Sequence, residues 1–314
     1  MNNEPTVSVI IPNYQTDEYL GKAVDSVRDQ TYSRTEIILV DSSGTKKAEQ
    51  IADGEKTTYV YQDPEGLAAA RNRGVTESSG DIIAFLDADD WLPPDSLEKR
   101  VRALEKHEAC AVYTDWYTAT EEGKKTEVHS AIDLKKNGQH FVDFFLNEGI
   151  RVPTVAVRRA ALEKLEGPFN ESLKAAEDFH CWTRLFAESE HPPVKIDDPL
   201  AVYRIRDNSL SHGNRVQFFN EKRKAVNELI EQYPELARVA RKRRSIDDYS
   251  RARAALLDDD LDEARSFIWR SVSEDPTQLK SYVLLLISVI PNDALQKWSQ
   301  TSAESLYQHI KQSE

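Results

Sequence analysis

From Val7 to Glu105 the chain alternates between two periodicities. Val7–Ile11 is a short β-branched apolar run ended by Pro12 and Asn13, and Glu18–Arg28 then puts Leu20, Ala23, Val24 and Val27 on one helical face. Glu36–Val40 predicts a second strand, stopped by Asp41-Ser42-Ser43-Gly44, with a helix over Thr45–Ala52. Thr57–Tyr61 predicts a third strand and Glu65–Glu77 an alanine-rich helix; Ile82–Leu86 predicts a fourth strand. Pro94–Glu105 follows as a helix with Pro94 in its first turn. Continuous apolar strands alternating with helices predict βαβ units, so the expected fold class is α/β, a mainly parallel sheet flanked by helices.

After residue 108 the alternation loosens. Cys110–Tyr117 and Val152–Val157 predict strands, Glu177–Ala187 a helix and Pro199–Ile205 a late strand, while 119–138 is polar and reads as a surface loop. From about Asn214 the pattern is helical, broken near Pro234, Asp258–Asp260, Pro276 and Pro291. The expected organisation is one domain over 1–213 and a helical region over 214–314, a cap or a contact element for a partner or membrane.

With 41 basic and 54 acidic residues, a net charge of −13, the chain is not built to hold nucleic acid over a broad surface. A bound nucleotide still fits, because a metal or an arginine can neutralise its phosphates. Two cysteines, Cys110 and Cys181, lie far apart without metal-ligand spacing, which favours a reducing, cytoplasmic setting. Met1–Thr6 carries no apolar signal core. The most apolar run, Tyr282–Ile290, is short of the ~20 residues that cross a bilayer as a helix and reads as a buried helix. Arg241-Lys242-Arg243-Arg244 reads either as a solvated helix face or as a contact for anionic lipid headgroups at the cytoplasmic membrane face.

Ligands of open parallel sheets bind at the carboxyl ends of the strands. Asn13 and Tyr14 follow the first predicted strand, Asp41 the second, Asp63 the third, and Asp87, Asp89 and Asp90 the fourth. Phe85-Leu86-Asp87-Ala88-Asp89-Asp90 drives an apolar strand straight into three carboxylates, a crowding relieved by a hard divalent cation, Mg²⁺ or Mn²⁺. The competing reading is a turn in which Asp90 caps a helix starting at Trp91. Asp41 suits hydrogen bonds from a base or ribose, or an Asx-turn into Ser42-Ser43-Gly44. In Gly66-Leu67-Ala68-Ala69-Ala70-Arg71, small residues allow close packing on the sheet, and Arg71 either reaches a phosphate or braces Asp41 or Asp87. Glu177 and Asp178, ahead of Phe179, Trp182 and Arg184, read as an acidic helix start or as a general base. Arg204 and Arg206 suit phosphates, and His212, near Ser209 and Ser211, is a candidate third metal ligand.

Together these elements resemble glycosyltransferase family 2, the large inverting group with the GT-A fold. Val7-Ser8-Val9-Ile10-Ile11-Pro12-Asn13-Tyr14 resembles its first strand and nucleotide-facing turn. Val40 through Thr45 resembles its second-strand motif, with serine and glycine rearranged and the first aspartate kept. Gly66 through Asn72 resembles its Gly-x-x-x-Ala-Arg-Asn signature, and Asp87-Ala88-Asp89 its Asp-x-Asp metal motif. Gly167 through Glu171, then Glu177-Asp178 with Trp182 and Arg184, resembles its acceptor-side signature; Tyr203-Arg204 resembles its late strand. The resemblance covers about two-thirds of the chain, residues 6–210, and leaves the helices after 213 unexplained.

The resemblance implies a donor site for a nucleotide-diphosphate sugar, UDP-sugar favoured, made by Pro12, Asn13, Tyr14, Asp41, Gly66, Arg71, Asp87 and Ala88. It further implies a metal on Asp89, catalysis by Asp178, and an acceptor side near Glu177, Trp182 and Arg204. The implied acceptor is a glycan or a lipid-linked sugar; a polyprenyl-phosphate acceptor is the variant reading. A nucleotidyltransferase would need a glycine-rich loop where Pro12 through Thr16 stands. A helical scaffold with a dead transferase domain would bind neither donor nor metal.

Overall fold

The computed structural model describes residues 4–54, 56–134, 139–206, 215–258 and 260–288. Strands β1 (Val7–Asn13), β2 (Thr35–Asp41), β3 (Thr57–Tyr61) and β4 (Ile82–Phe85) form a parallel set in the order β3-β2-β1-β4. Helices α1 (Asp17–Arg28), α2 (Lys46–Ala52) and α3 (Leu67–Glu77) connect them, and α4 (Ser96–His107) follows. Every residue of β1 is buried, as expected of a central strand covered on both faces. Helix α1 buries Leu20, Ala23, Val24 and Val27, the stripe read from its spacing. Helix α4 starts two residues later than expected, because Pro94 lies in the preceding turn, where its carbonyl accepts from Thr31 N.

The sheet continues beyond β4. β7 (Ala156–Arg158) pairs antiparallel with both β4 and β5 (Ala111–Ala119), and β8 (Val194–Arg204) runs parallel to β5. This is the expected α/β architecture, a mostly parallel sheet flanked by helices. Three local expectations differ. The polar stretch read as a loop contains β6 (Lys125–His129), paired antiparallel with β5; most of its residues are exposed, so no apolar alternation marks it. The run Val152–Val157 divides into a 3-10 turn at Val152–Thr154 and β7, since Pro153 has no N–H for a ladder. β8 starts at Val194 rather than Pro199, with a register shift where Pro199 faces Asp115. Two further helices of this region, α5 (His140–Asn147) and α6 (Arg159–Leu162), precede α7 (Glu177–Glu188).

The chain divides into two compact units, Met1–Glu235 and Leu236–Glu314. The division falls after α8 (Arg215–Gln232), so the first helix beyond residue 213 belongs with the sheet unit. The second unit holds α9 (Ala240–Leu257), α10 (Leu261–Glu274) and α11 (Leu279–Ser288) around Ala252, Phe267, Ile268 and Leu284. The buried hydroxyls of Ser245, Ser271 and Ser281 join the three helices at 2.7–3.0 Å. Within the basic run Arg243 is buried on Asp247, while Arg241 and Lys242 are exposed and Arg241 donates to Ser273 O. The apolar run is not a fully buried helix either, because Tyr282, Val283 and Leu286 of α11 are exposed; its last two residues lie outside the described ones. Among the described residues no helix is long and apolar enough to cross a membrane.

The close approach of α3 to β1 is testable. A Cβ on Gly74 would overlap the buried Ile10 side chain. Gly-to-Ala in a helix ordinarily gains ~1 kcal/mol, and overpacking costs ~1–3 kcal/mol. Gly74→Ala is therefore expected to lower stability in urea denaturation; equal or higher stability would contradict the packing.

Candidate functional site

The register of the parallel strands brings the candidate residues level. Asn13 stands opposite Asp41, which stands opposite Tyr61. Asn13 is buried; its Nδ2 donates to Asp41 Oδ1 and to Asp17 Oδ1, both at 2.7 Å, while its Oδ1 accepts from the Thr16 hydroxyl at 2.8 Å. Asp41 also accepts from Ser43 N at 3.1 Å, Gly44 N at 3.0 Å and the Tyr59 hydroxyl at 2.9 Å. The buried carboxylate thus has four donors from the chain, the Asx-turn alternative in full, and Gly44 supplies the left-handed φ of 64° that the turn needs. Asp41 accordingly shapes the turn rather than offering a vacant acceptor. What faces solvent is a cavity of about 500 Å³ lined by Tyr14, Gln15, Asp17, Ser42, Ser43 and Pro64. Tyr14 is exposed at its edge, while Pro12 is buried within β1 and contributes backbone only. Gly66, at φ 111°, turns the chain from the β3 end into α3.

The carboxylates after β4 occupy a tight turn in which Asp90 N donates to Asp87 O at 3.0 Å. The turn is fastened to β8: Trp91 and Val202 exchange backbone bonds, and Asp90 Oδ1 accepts from Arg204 N at 2.8 Å. Asp90 therefore does not cap a helix. Among the described residues its other oxygen is buried without a partner, and burial, followed by the charges of Asp89 and Asp87, raises its pKa well above the ordinary range. Asp89 pairs with Arg206 at 2.6 Å; burial and then Asp87 raise its pKa, against the lowering effect of Arg206. Ala88 is buried between them.

Arg204 was expected on the acceptor side. It is buried, donates through Nε to Asp89 O at 2.8 Å and also reaches Glu121 O, so it supports the carboxylate turn. Trp182 was also expected on the acceptor side. It is fully buried, 5.7 Å from Phe85 and 5.8 Å from Phe169 between ring centroids, in the core behind the site. An aromatic at helical spacing beneath a sheet is more useful as core volume than as ligand contact.

Arg71 joins the two halves. It is 1% exposed, and its guanidinium lies 2.9 Å from Asp87 Oδ1 and 2.5 Å from Glu177 Oε1. Burial pulls its pKa down, but the charges of Asp87, Glu177 and Asp178 more than offset this and hold it above its ordinary value. The brace alternative is thus realised, and Glu177 is engaged in it. Ala176, at φ 60°, turns the chain so that Asp178 heads α7 beside this pair. Asp178 is partly exposed and accepts from Phe179 N at 2.7 Å. Burial, then the charge of Glu177, pushes its pKa up to about 6, with Arg71 opposing. Ser209, Ser211 and His212 lie outside the described residues.

Asp87 and Asp89 are hard oxygen donors at one strand mouth. Among the described residues no group of three or more His, Cys, Asp or Glu is arranged to hold an ion alone. Mg²⁺ and Mn²⁺ commonly take one or two carboxylates and complete their shell with phosphate and water. The donor set fits such an ion in company with a diphosphate, with Arg206 giving up Asp89. Glu177 was expected at a helix start or on the acceptor side, not as Arg71's second partner, and the pair Glu148–Lys222, whose members are 74 positions apart, carries no local signal.

The sequence profile of Glycosyl transferase family 2 matches residues 8–166. Glycosyltransferase GlyA of Streptococcus pneumoniae serotype 4 is 32% identical over 218 residues, covering 65% of this chain and 31% of the relative. The chain spans about a third of the length of the first curated relatives it matches. The mannosyltransferase PcManGT from Pyrobaculum calidifontis, in complex with GDP-Man and Mn²⁺, superposes with a TM-score of 0.61 at 18% identity, covering 99% of this chain and 83% of that one. S. aureus TarS 1-349 in complex with UDP-GlcNAc superposes at 0.57 and 18% identity, covering 72% and 66%. These structural likenesses establish the GT-A type of fold.

Removing Arg71 would leave Glu177 charged and buried. Breaking one side of a buried pair costs ~3–5 kcal/mol. Arg71→Met is expected to lose about that much in urea denaturation, and adding Glu177→Gln to recover part of it. An unchanged midpoint in the single variant would contradict the bracing role.

Proposed function

The chain belongs to glycosyl transferase family 2, and on that premise we propose that it moves a sugar from a nucleotide-diphosphate sugar, UDP-sugar favoured, to an acceptor hydroxyl with inversion. The observation that carries the proposal is the Arg71 bridge, which ties the Asp87-Ala88-Asp89 turn to the helix headed by Asp178. The nucleoside enters the cavity beside Tyr14 and the Asp41 turn, and the ribose meets Asp87 and the backbone of Ala88. Asp41 acts here through the turn it shapes. Asp89 is the residue that would hold Mn²⁺ or Mg²⁺. Such an ion, when bound with the diphosphate, offsets the charge developing on the leaving group. The GDP-Man and Mn²⁺ bound by the mannosyltransferase, and the UDP-GlcNAc bound by TarS, support this donor chemistry.

Asp178 accepts the proton of the acceptor hydroxyl. That oxygen forms a bond to the anomeric carbon from the face opposite the diphosphate, as the carbon–phosphate-oxygen bond breaks and its electron pair leaves with the diphosphate. A base must be ionised before it can act, and a pKa near neutrality makes it effective. A glycan or lipid-linked hydroxyl is the acceptor class that follows.

UDP release from UDP-GlcNAc in the presence of Mn²⁺, with water as surrogate acceptor, tests the proposal. Activity should fall along a one-proton limb as pH drops through about 6. Asp178→Asn should abolish it at every pH while leaving UDP binding in place; retained turnover would remove Asp178 from the base role.

The same group makes a stability prediction that needs no substrate. The folded-state pKa of Asp178 is raised from 3.8 to about 6, so its stability contribution is fullest below about 4 and is lost as pH rises through about 6. Asp178→Asn should therefore melt higher than the parent at pH 7.5, and the gap should close by pH 4. A gap that grows on acidification would contradict the raised pKa.

A further inference from the structure

The connection through α3 runs back across β2 and β1, opposite in direction to those through α1 and α2, so right-handed crossovers put α3 on the other face of the sheet. Arg204 lies over the Tyr19 ring of α1 at 4.5 Å, on the α1 face. Successive strand residues face opposite ways, so Tyr203 looks out on the α3 face, which is also that of α7 through the Arg71–Glu177 pair. Thr118 stands opposite Tyr203 in the β5–β8 ladder, and Trp116, two residues earlier, shares its side. His129, opposite Trp116 on β6, stacks on it at 5.5 Å between ring centroids. This end of the sheet therefore presents an aromatic wall on its α7 side.

Arg151 covers that wall. Its guanidinium carbon lies 5.2 Å from the Tyr203 ring centroid and 5.8 Å from that of Trp116. Its backbone is fixed: the carbonyl accepts from Thr154 N at 3.0 Å and from the Thr154 hydroxyl at 2.6 Å, and Thr154 is fully buried. Buried Arg100 holds the same turn by donating to Pro153 O at 2.8 Å. Helix α5, which leads into the turn, packs on α7 through Phe144 and Phe145, each 5.9 Å from Phe179, the residue after Asp178. Arg151 is exposed, and among the described residues its side chain makes no ion pair and no hydrogen bond. Arg71, Arg204 and Arg206 by contrast are paired or bonded to backbone. Aromatic rings occupy the face of a guanidinium and leave its N–H edges to a ligand. Those edges match the paired oxygens of a carboxylate or a phosphate.

We propose that Arg151, seated on Trp116 and Tyr203, is the anion-binding residue of the acceptor side, so that the acceptor carries a carboxylate or phosphate beside the sugar that reacts. This rests on the reading of the chain as a transferase with Asp178 as its base. In a chain of net charge −13 an anionic acceptor needs a local cation, and Arg151 supplies one on the α7 face. The ring nitrogen Nε2 of His129 is already engaged, by the Thr118 hydroxyl at 3.3 Å and by Glu127 at 3.7 Å, which leaves the guanidinium as the group that selects the anion.

The test follows the indole N–H signal of Trp116 by nitrogen-15 NMR in the full chain, assigned by its loss in Trp116→Phe. Methyl glucuronide, glucose 6-phosphate and neutral methyl glucoside are titrated in turn, with UDP and Mg²⁺ present and absent. At least one of the two anionic probes should move the Trp116 signal and bind about threefold or more tighter than methyl glucoside. Preference for the glucuronide assigns a carboxylated acceptor, and preference for the phosphate a phosphorylated one. Arg151→Met should abolish the preference for the anion and Arg151→Lys should keep part of it. Equal affinity for all three probes, a Trp116 signal that neither anion moves, or a preference that survives in Arg151→Met overturns the proposal. If Arg151→Met does not fold, Arg151→Gln takes its place with the same two outcomes. The transferase reading fails separately, through absence of UDP binding and of UDP release from UDP-GlcNAc in the parent, whatever the titrations without nucleotide show.

Discussion

Two carboxylates 90 positions apart, Asp87 and Glu177, meet on the guanidinium of Arg71 with almost no water around it. A cation so placed needs its partners as much as they need it: removing any one leaves an uncompensated charge in a poor solvent for charge. The small residues Ala68, Ala69, Ala70 and Gly74 let α3 lie close on β1, which sets where Arg71 emerges. Phe169, 5.5 Å from the guanidinium, closes the other side and belongs to the aromatic group with Phe85 and Trp182. The sheet edge and the α7 start are therefore one rigid piece.

The charge balance of that piece bears on the proposed donor. Asp87, Asp89, Asp90, Glu177 and Asp178 gather near the strand ends, and burial raises the pKa of Asp89, Asp90 and Asp178. The nearby arginines are committed: Arg71 to the bridge, Arg204 to backbone carbonyls and Arg206 to Asp89. On the proposed reading, a hard divalent ion held by one carboxylate and the phosphates would supply the positive charge a diphosphate meets there. On the proposed reading, the raised pKa of Asp178 suits a proton acceptor working near neutrality.

Much of this was legible in the chain. The strands of the parallel set are continuous apolar runs, and the acids fall where those runs end, so the place of the candidate site follows from topology. What was not legible depends on partners distant in sequence. Asp41 reads equally as ligand contact or turn former until four donors surround it. Trp182 carries a motif position but fills core volume, and Arg204 points its guanidinium at backbone. β6 has no apolar face, and α5 is a short apolar run whose periodicity is ambiguous between helix and strand. Lys222 and Glu148 carry no pattern at all.

The claim at the centre is that the turn after β4 and the cavity beside Tyr14 form one donor site requiring a divalent ion. Calorimetric titration with UDP and with GDP, with and without Mn²⁺, on the parent chain and on Asp89→Ala, addresses it directly. The account predicts nucleotide binding that depends on Mn²⁺ and is lost in the variant. Binding of equal strength without the metal, or in Asp89→Ala, or no binding of either nucleotide under any condition, would contradict it.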